Sequence, residues 1–350
     1  MERIITLKVI MTDLETRLAQ AKSYVHSFHN DLDKAQDKKE ITDCLSHYTT
    51  ENWYWRGMHP FYEQTGAANV ANTFWHPLKE SFSRIHRRTD IFFAGLNDVD
   101  DGNSLWVCEM GNFMGSFDND WLGIPATDRM CFLRYAEFHK VSDDKIVESA
   151  LFIDILGVML EAGVYPLPAM TGAYVVQPGP RTHDGLLLTP QDPYETQKTI
   201  ELVNRMIGDL NALNKSGNDK PTPAYIAQCW DEDMVWFGPT GIGATFTIEG
   251  FQKQHQFPFR ENLGDKKFNG HIARCAEGNY LGFFGWANLT NKNRGGFLGL
   301  PKSDVDAEMR IVDIYRRDGD KLVENWMFMD TLHYLNMQGL DVLARIGETR

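Results

Sequence analysis

The chain has 350 residues, 43% hydrophobic and 24% charged, which is enough apolar material for one or two packed cores and too much for a disordered chain. Its 35 Lys and Arg against 48 Asp and Glu leave a net charge of −13, and no basic run offers a phosphate-tracking surface, which argues against nucleic acid as a partner. No stretch approaches the roughly 20 apolar residues that cross a bilayer, and Lys8, Glu2 and Asp13 spoil the start of the chain as a secretory signal.

Five cysteines, Cys44, Cys108, Cys131, Cys229 and Cys275, stand singly with no C-x-x-C pair. They read as reduced, buried thiols, and the expected location is cytoplasmic.

In chain order, Leu14, Leu18, Ala21, Val25 and Phe28 recur at three and four, predicting a helix with Thr12 or Asp13 as its cap. A short helix near Ile41 to Tyr48, the aromatic strand ENWYWRG and a helix over Ala67 to Phe82, broken near Pro77, follow. Strands are expected over Thr89 to Leu96, Leu105 to Met114, Met130 to Val141 and Lys145 to Ile153. A Pro- and Gly-rich stretch, Tyr165 to Pro193, is too apolar at Val175, Val176 and Leu186 to Leu188 for a solvated tether and reads as an ordered linker.

The series then repeats: a helix through Tyr194, Thr199, Leu202, Met206 and Leu210, a short one at Pro223 to Trp230, the strand DMVWFG, a helix over Ile248 to Leu263 broken near Pro258, and four strands ending at Met329. Gly123, Pro125, Asp128, Lys145, Glu148 and Asp154 return as Gly299, Pro301, Asp304, Lys321, Glu324 and Asp330 without a gap. Two copies this long mean two domains rather than a solenoid. The expectation is α+β: a first unit over 1–165, a linker over 166–190 and a second unit over 191–350, each a curved antiparallel sheet packed on N-terminal helices.

The final hairpins can be read more finely. Asp143-Asp144 and Gly319-Asp320 are two-residue turns, which would pair Glu137 with Ala150 and Asp313 with Trp326, and set Asp154 opposite Leu133 and Asp330 opposite Met309. Leu133, Tyr135, Glu137 and His139 share a strand face, as do Met309, Ile311, Asp313 and Tyr315, whereas Arg134 and Lys140 lie on the other. Each unit would then present two inward carboxylates roughly 13 Å apart. Asp154 and Asp330, at the junction of an apolar strand and an apolar helix, fit either a helix N-cap or a desolvated acid/base, and the two readings are compatible. Glu137 and Asp313 face the cavity or, with the faces inverted, solvent.

Other candidates are weaker. Alternation turns only about half of the strand aromatics, among them Trp53, Tyr54, Trp55, Trp106, Trp236 and Trp286, toward a cavity. His76 beside Trp75 lies on a helix expected to cover the cavity mouth. Glu109, Asn112 and Asn288 are polar groups on a central strand and need partners. His59, His76, His86, His255, His271 and His333 have no metal spacing, so no metal or organic cofactor is expected. Gly238 to Thr245 lacks the features of a phosphate loop, and no nucleophile elbow occurs.

A strand ending in Trp and Gly, the helix with W-H-P-L from Trp75, G-I-P-A-T-D-R from Gly123, the hairpin D-K-I-V-E and the W-x-x-x-D of Trp326 and Asp330 together resemble the SnoaL-like polyketide cyclases of the nuclear transport factor two-like superfamily. The resemblance covers nearly the whole chain as two tandem copies. It implies a cone of curved sheet around a ligand pocket. It also implies that Asp330 and Asp154 act as the acid/base of a cofactor-free aldol ring closure on a small hydrophobic or aromatic substrate. The sequence departs from the pattern at Ala126-Thr127-Asp128 and Lys302-Ser303-Asp304. It also does so at Ala150, which leaves the first site wider than the second, where Trp326 stands. The two units would pack as an internal pseudo-dimer, or whole chains would dimerise. The alternative function is a non-catalytic small-molecule binding or assembly module on the same fold.

Overall fold

A computed structural model describes residues 2–346, with side chains from residue 13 onward; Met1, residues 347–350 and the Thr12 side chain lie outside the described residues. The chain builds one helix-and-sheet unit and then a second like it. The first runs α1 (Glu2–Lys34), α2 (Lys38–Tyr48), β1 (Thr49–Gly57), β2 (Glu63–Thr65), α3 (Ala67–Val70), α4 (His76–Ser81), β3 (Phe82–Leu96), β4 (Leu105–Phe117), β5 (Arg129–Ser142), β6 (Lys145–Ile153) and α5 (Ile155–Glu161). The second opens with α6 (Pro193–Ser216), α7 (Pro223–Ile226), β7 (Trp230–Phe237), β8 (Ala244–Phe246), α8 (Ile248–Phe251) and α9 (Phe257–Asn262). It continues through β9 (Leu263–Phe268), β10 (Ala273–Glu277), β11 (Tyr280–Asn293), β12 (Ala307–Asp318), β13 (Lys321–Met329) and α10 (Thr331–Met337).

Local chemistry sets most boundaries. A capping box between Asp37 and Glu40 starts α2, and Asp192 with Pro193 behind it starts α6, which ends at Gly217 with φ 70°. α1, by contrast, begins at Glu2 and runs straight through the expected cap at Asp13. Neither proline breaks its helix. The turn before it widens to a π turn, Ala71–Trp75 or Gln252–Gln256, which accommodates a residue that cannot donate to the helical ladder.

The sheets are mixed, not wholly antiparallel. The strand order is β2-β1-β6-β5-β4-β3 in the first and β10-β11-β12-β13-β7-β8 in the second, with β9 also on β11. The meanders are antiparallel, but β1 lies parallel to β6 and β7 parallel to β13. Hairpin turns advertise antiparallel neighbours locally. A parallel pair is made through a long crossover and has no such local signature.

The hairpins begin as expected and then slip by one residue. Asp143 and Asp144 both have positive φ, Ser142 pairs with Lys145 and Asp318 with Lys321. A bulge after Lys140 and another after Arg316 then set Glu137 opposite Leu151 and Asp313 opposite Met327. Since a one-residue slip turns a strand over, Ser149, Leu151, Asn325 and Met327 face inward. Ala150, Trp326, Asp154 and Asp330 pass to the other face.

Those other faces meet, and the two units pack sheet against sheet. β10 crosses β3 and β4, and β13 approaches β6. Phe284 of the second unit sits among Trp106, Phe138 and Phe152 of the first, with ring centroids 5.5, 5.0 and 6.2 Å away. Lys22 reaches Glu277 at 2.6 Å, and the amide of Ala94 donates to the same carboxylate at 2.9 Å. The segment between α5 and α6 straps both units, pairing Leu186 with Phe92 and Ala173 with Ala244. Among the described residues no helix is long and apolar enough to cross a membrane.

The close approach of the sheets gives a stability prediction. A Cβ on Gly95 would lie 2.5 Å from the carbonyl oxygen of Ala276 and 2.7 Å from its nitrogen, backbone atoms that cannot step aside. Gly95→Ala is expected to cost roughly 2 kcal/mol or more in thermal or urea unfolding. Gly208→Ala, in α6 with open space around it, is expected to be neutral or gain up to about 1 kcal/mol.

Candidate functional site

The inward faces of the two units hold different chemistry. In the second, a cavity of about 230 Å³ opens between α6, the α8–α9 segment and the faces of β12 and β13. Its walls are largely apolar, with Met206, Leu210, Phe259, Met309 and Met327 among them. Trp236 stacks on His255, centroids 4.0 Å apart and planes at 13°. Burial pushes the His255 imidazole down to about 3, so it is neutral at physiological pH.

Among the described residues Asp313 is the one carboxylate on this wall. Burial raises it to about 7, outweighing the hydrogen bond that Asn325 Nδ2 donates to Oδ1 at 3.1 Å. A carboxyl that titrates near neutrality can both take and return a proton. Tyr315, two residues along the same face, is held well above its usual range by burial and by Asp313, so it stays a hydroxyl donor.

The first unit fills the corresponding space with charge. Tyr135, Glu137 and His139 share the inward face with Glu109, as the alternation predicts, and α1 adds His29 while β3 adds Arg87. His29 Nδ1 lies 2.7 Å from Glu109, and its Nε2 lies 3.0 Å from His139 Nε2 and 3.5 Å from Glu137. His139 Nδ1 meets the Ser149 hydroxyl at 2.8 Å, and Ser149 accepts from Trp53. Tyr135 donates to Glu109, and Arg87 sits over Trp75, Phe113 and Tyr135. Burial alone would raise both glutamates. His29, Arg87 and Tyr135 hold Glu109 down at about 2, and Arg87, His139 and His29 do the same for Glu137.

Comparing the repeats at the offset that relates Glu137 to Asp313, His139 becomes Tyr315 and Ser149 becomes Asn325. At the offset that relates Trp55 to Trp236, His29 becomes Leu210. Stripped of these partners, the carboxylate of the second unit is left nearly alone in an apolar cavity.

The repeated aspartates lie elsewhere. Asp330 is fully buried and caps α10 by accepting from His333 N at 3.2 Å, while its other oxygen accepts from His59 N, in the first unit, at 3.0 Å. Burial lifts it to about 7, against those two bonds and the Arg310 guanidinium at 3.6 Å. Asp154 mirrors this arrangement. It caps α5 through Gly157 N at 3.1 Å and accepts from Thr240 N and Oγ1, in the second unit, at 3.0 and 2.8 Å. Each repeated aspartate therefore ties its own helix start to the loop after the aromatic strand of the other unit. Neither is among the groups lining the 230 Å³ cavity; Asp154 borders a cavity of only about 40 Å³ between the units, together with Asn112 and Arg134.

The remaining residues singled out from the sequence divide by face. Trp326 points outward, donating to Pro178 O at 2.9 Å and stacking on Phe237, so it does not wall the cavity; the bulge after Arg316 is the cause. Trp286 lies between the units, under Arg310 and bonded to Glu63 at 2.5 Å. Trp55 packs on Phe74 in the first core, and Asn288 is buried outside the cavity lining. His76 faces Glu80 on the helix surface at 3.3 Å. Asn325 escaped the sequence reading, and His255 entered it only as a histidine without metal spacing. A side-by-side comparison of the repeats at Ser149 could have drawn attention to Asn325, whereas His255 carries no local signal.

No known family profile matches the chain, and no curated protein matches it. Among solved structures it is similar to a candidate SnoaL-like polyketide cyclase from Jannaschia sp. CCS1, at 19% identity and a TM-score of 0.35, covering 43% of this chain and 95% of that one. It is also similar to IdmH of Streptomyces antibioticus, described as a candidate polyketide cyclase, at 13% identity and a TM-score of 0.32, covering 39% and 97%. A third likeness, to an NTF2-like protein of Burkholderia xenovorans LB400, has 14% identity and a TM-score of 0.31, covering 41% and 97%.

Proposed function

We propose that the second unit is a cofactor-independent acid/base enzyme acting on a small, largely apolar carbonyl compound, in the manner of an aldol cyclase, lyase or isomerase. The observation that carries this reading is Asp313, a carboxyl titrating near 7 in an apolar cavity of about 230 Å³. In its ionised form Asp313 takes a proton from the carbon next to the substrate carbonyl, with Asn325 holding Oδ1 and so orienting the carboxylate. The electron pair moves onto the carbonyl oxygen, and the Tyr315 hydroxyl, on the same cavity wall, donates a hydrogen bond to it. In an isomerisation the protonated Asp313 returns the proton to a different carbon of the enolate system; in an aldol closure the enolate carbon first attacks a second carbonyl of the same substrate, and Asp313 gives its proton to the alkoxide that forms. The apolar walls exclude water and keep the carboxylate basic.

In this reading Asp330 and Asp154 join the two units and hold their helices, and the acid/base role expected of Asp330 passes to Asp313. A non-catalytic binder would use the same apolar cavity, including the Trp236–His255 stack, to hold its ligand.

The experiment is solvent deuterium exchange into the α-carbon of small aryl ketones, followed by proton NMR with catalytic amounts of the full-length protein at pH 8. Catalysed exchange on at least one ketone is the expected result. Saturable ketone binding with exchange no faster than buffer would replace the enzyme by the binding module.

A further inference from the structure

We propose that the interior of the first unit is a binding site for one borderline divalent transition-metal ion of the Zn²⁺ kind, held by His29 Nε2, His139 Nε2 and the Glu137 carboxylate. Its function would be to fasten α1 to the sheet.

The geometry carries the inference. The two imidazole Nε2 atoms are 3.0 Å apart, His29 Nε2 is 3.5 Å from Glu137 Oε2 and His139 Nε2 is 3.6 Å from Glu137 Oε1. Bonds of about 2.0–2.1 Å at tetrahedral angles put ligand atoms roughly 3.3 Å from one another, so these three groups already stand at coordination spacing. All three residues are buried, and among the described residues this is the one such grouping of His, Cys, Asp or Glu that stands out.

The surroundings support the same assignment. His29 Nδ1 faces the Glu109 carboxylate at 2.7 Å, which requires a proton on Nδ1 and leaves the lone pair on Nε2, toward the centre of the cluster. His139 Nδ1 is likewise engaged, by Ser149, which Trp53 anchors in turn. Metal-binding imidazoles are ordinarily oriented in this way by a carboxylate or hydroxyl on the far nitrogen. Glu137 Oε2 is buried with no hydrogen bond, although Arg87 Nη2 lies 3.2 Å away as an ion pair. The charges also suit a divalent ion: within the buried cluster the carboxylates of Glu109 and Glu137 oppose the Arg87 guanidinium, leaving one negative charge before the two imidazoles are counted. The second unit has Leu210, Asp313 and Tyr315 at the matching positions and keeps only one of the three donors.

The test uses the full-length protein, stripped with a chelator and reconstituted with Co²⁺ or Zn²⁺ at pH 7.5. We expect one ion per chain by elemental analysis, a visible d–d band of four-coordinate Co²⁺, and a higher Tm than the stripped protein. His29→Gln with His139→Gln is expected to lose the band and the stoichiometric ion. Ser149→Ala should weaken affinity by about 10- to 100-fold while the chain stays folded. Should the double variant not fold, an anomalous-scattering map of the Co²⁺-loaded wild type decides instead, with a peak between His29 and His139 expected. Folded wild type that takes up no stoichiometric ion overturns the proposal. So does an undiminished band in the double variant, or an anomalous peak elsewhere.

Discussion

Asp313→Asn is expected to lower catalysed α-carbon exchange by about 10²- to 10⁴-fold, the range over which positioned general bases contribute. The amide keeps the shape and the contact with Asn325 but cannot accept a proton from carbon. In the wild type the rate should rise with pH and level off above about 7, where Asp313 becomes ionised. The same variant should change the pH dependence of stability. The folded protein holds the Asp313 proton up to about 7, whereas an unfolded chain releases it near 4, so this group's contribution is fully present below about 4 and is lost as pH rises through about 7. The span corresponds to on the order of 4 kcal/mol. Urea unfolding at pH 5 and pH 8 should therefore differ less in Asp313→Asn than in wild type. A variant with wild-type exchange rates would remove Asp313 from the mechanism, whatever its stability profile.

Asp330→Ala is expected to be among the most destabilising single changes, costing about 2–4 kcal/mol in unfolding at pH 6. The substitution strands the amides of His59 and His333 and takes a partner from Arg310, all beside a side chain that is 0% exposed. Asp330→Asn keeps an acceptor oxygen and should lose about 1 kcal/mol, the usual scale of a helix cap. Because His59 belongs to the other unit, the loss in Asp330→Ala should appear as an earlier, less cooperative melt in which the units part before both unfold. Exchange by folded Asp330→Asn should remain within a few-fold of wild type. A hundredfold loss there with an unchanged Tm would return the acid/base role to Asp330 and count against its reading as an inter-unit tie.

How far the site was legible depended on the range of the interactions. Alternation alone placed Tyr135, Glu137 and His139 on one face and Arg134 on the other, and the repeat placed Asp313 and Tyr315 beside Met309 in the same way. Pairing across the hairpin failed because bulges after Lys140 and Arg316 add a residue without altering the turn that sets the register. That single residue moved Trp326 and Asp330 away from Asp313. It brought Asn325 and Met327 toward Asp313 in their place.

By itself the sequence determined the two copies, their order of helices and meander, and the presence of one aspartate at each strand-to-helix junction. All of these follow from periodicity, turn chemistry and self-similarity, which act over a few residues or compare like with like. Only the tertiary structure decided that those aspartates reach across to His59 and Thr240, that the sheets are mixed, and that His29 meets His139 over a separation of 110 residues. It also decided that one interior is filled with ionic groups while the other is open around Asp313. Those outcomes depend on which faces of the two sheets pack together and on what burial does to a charge, and neither quantity is defined until the chain has folded.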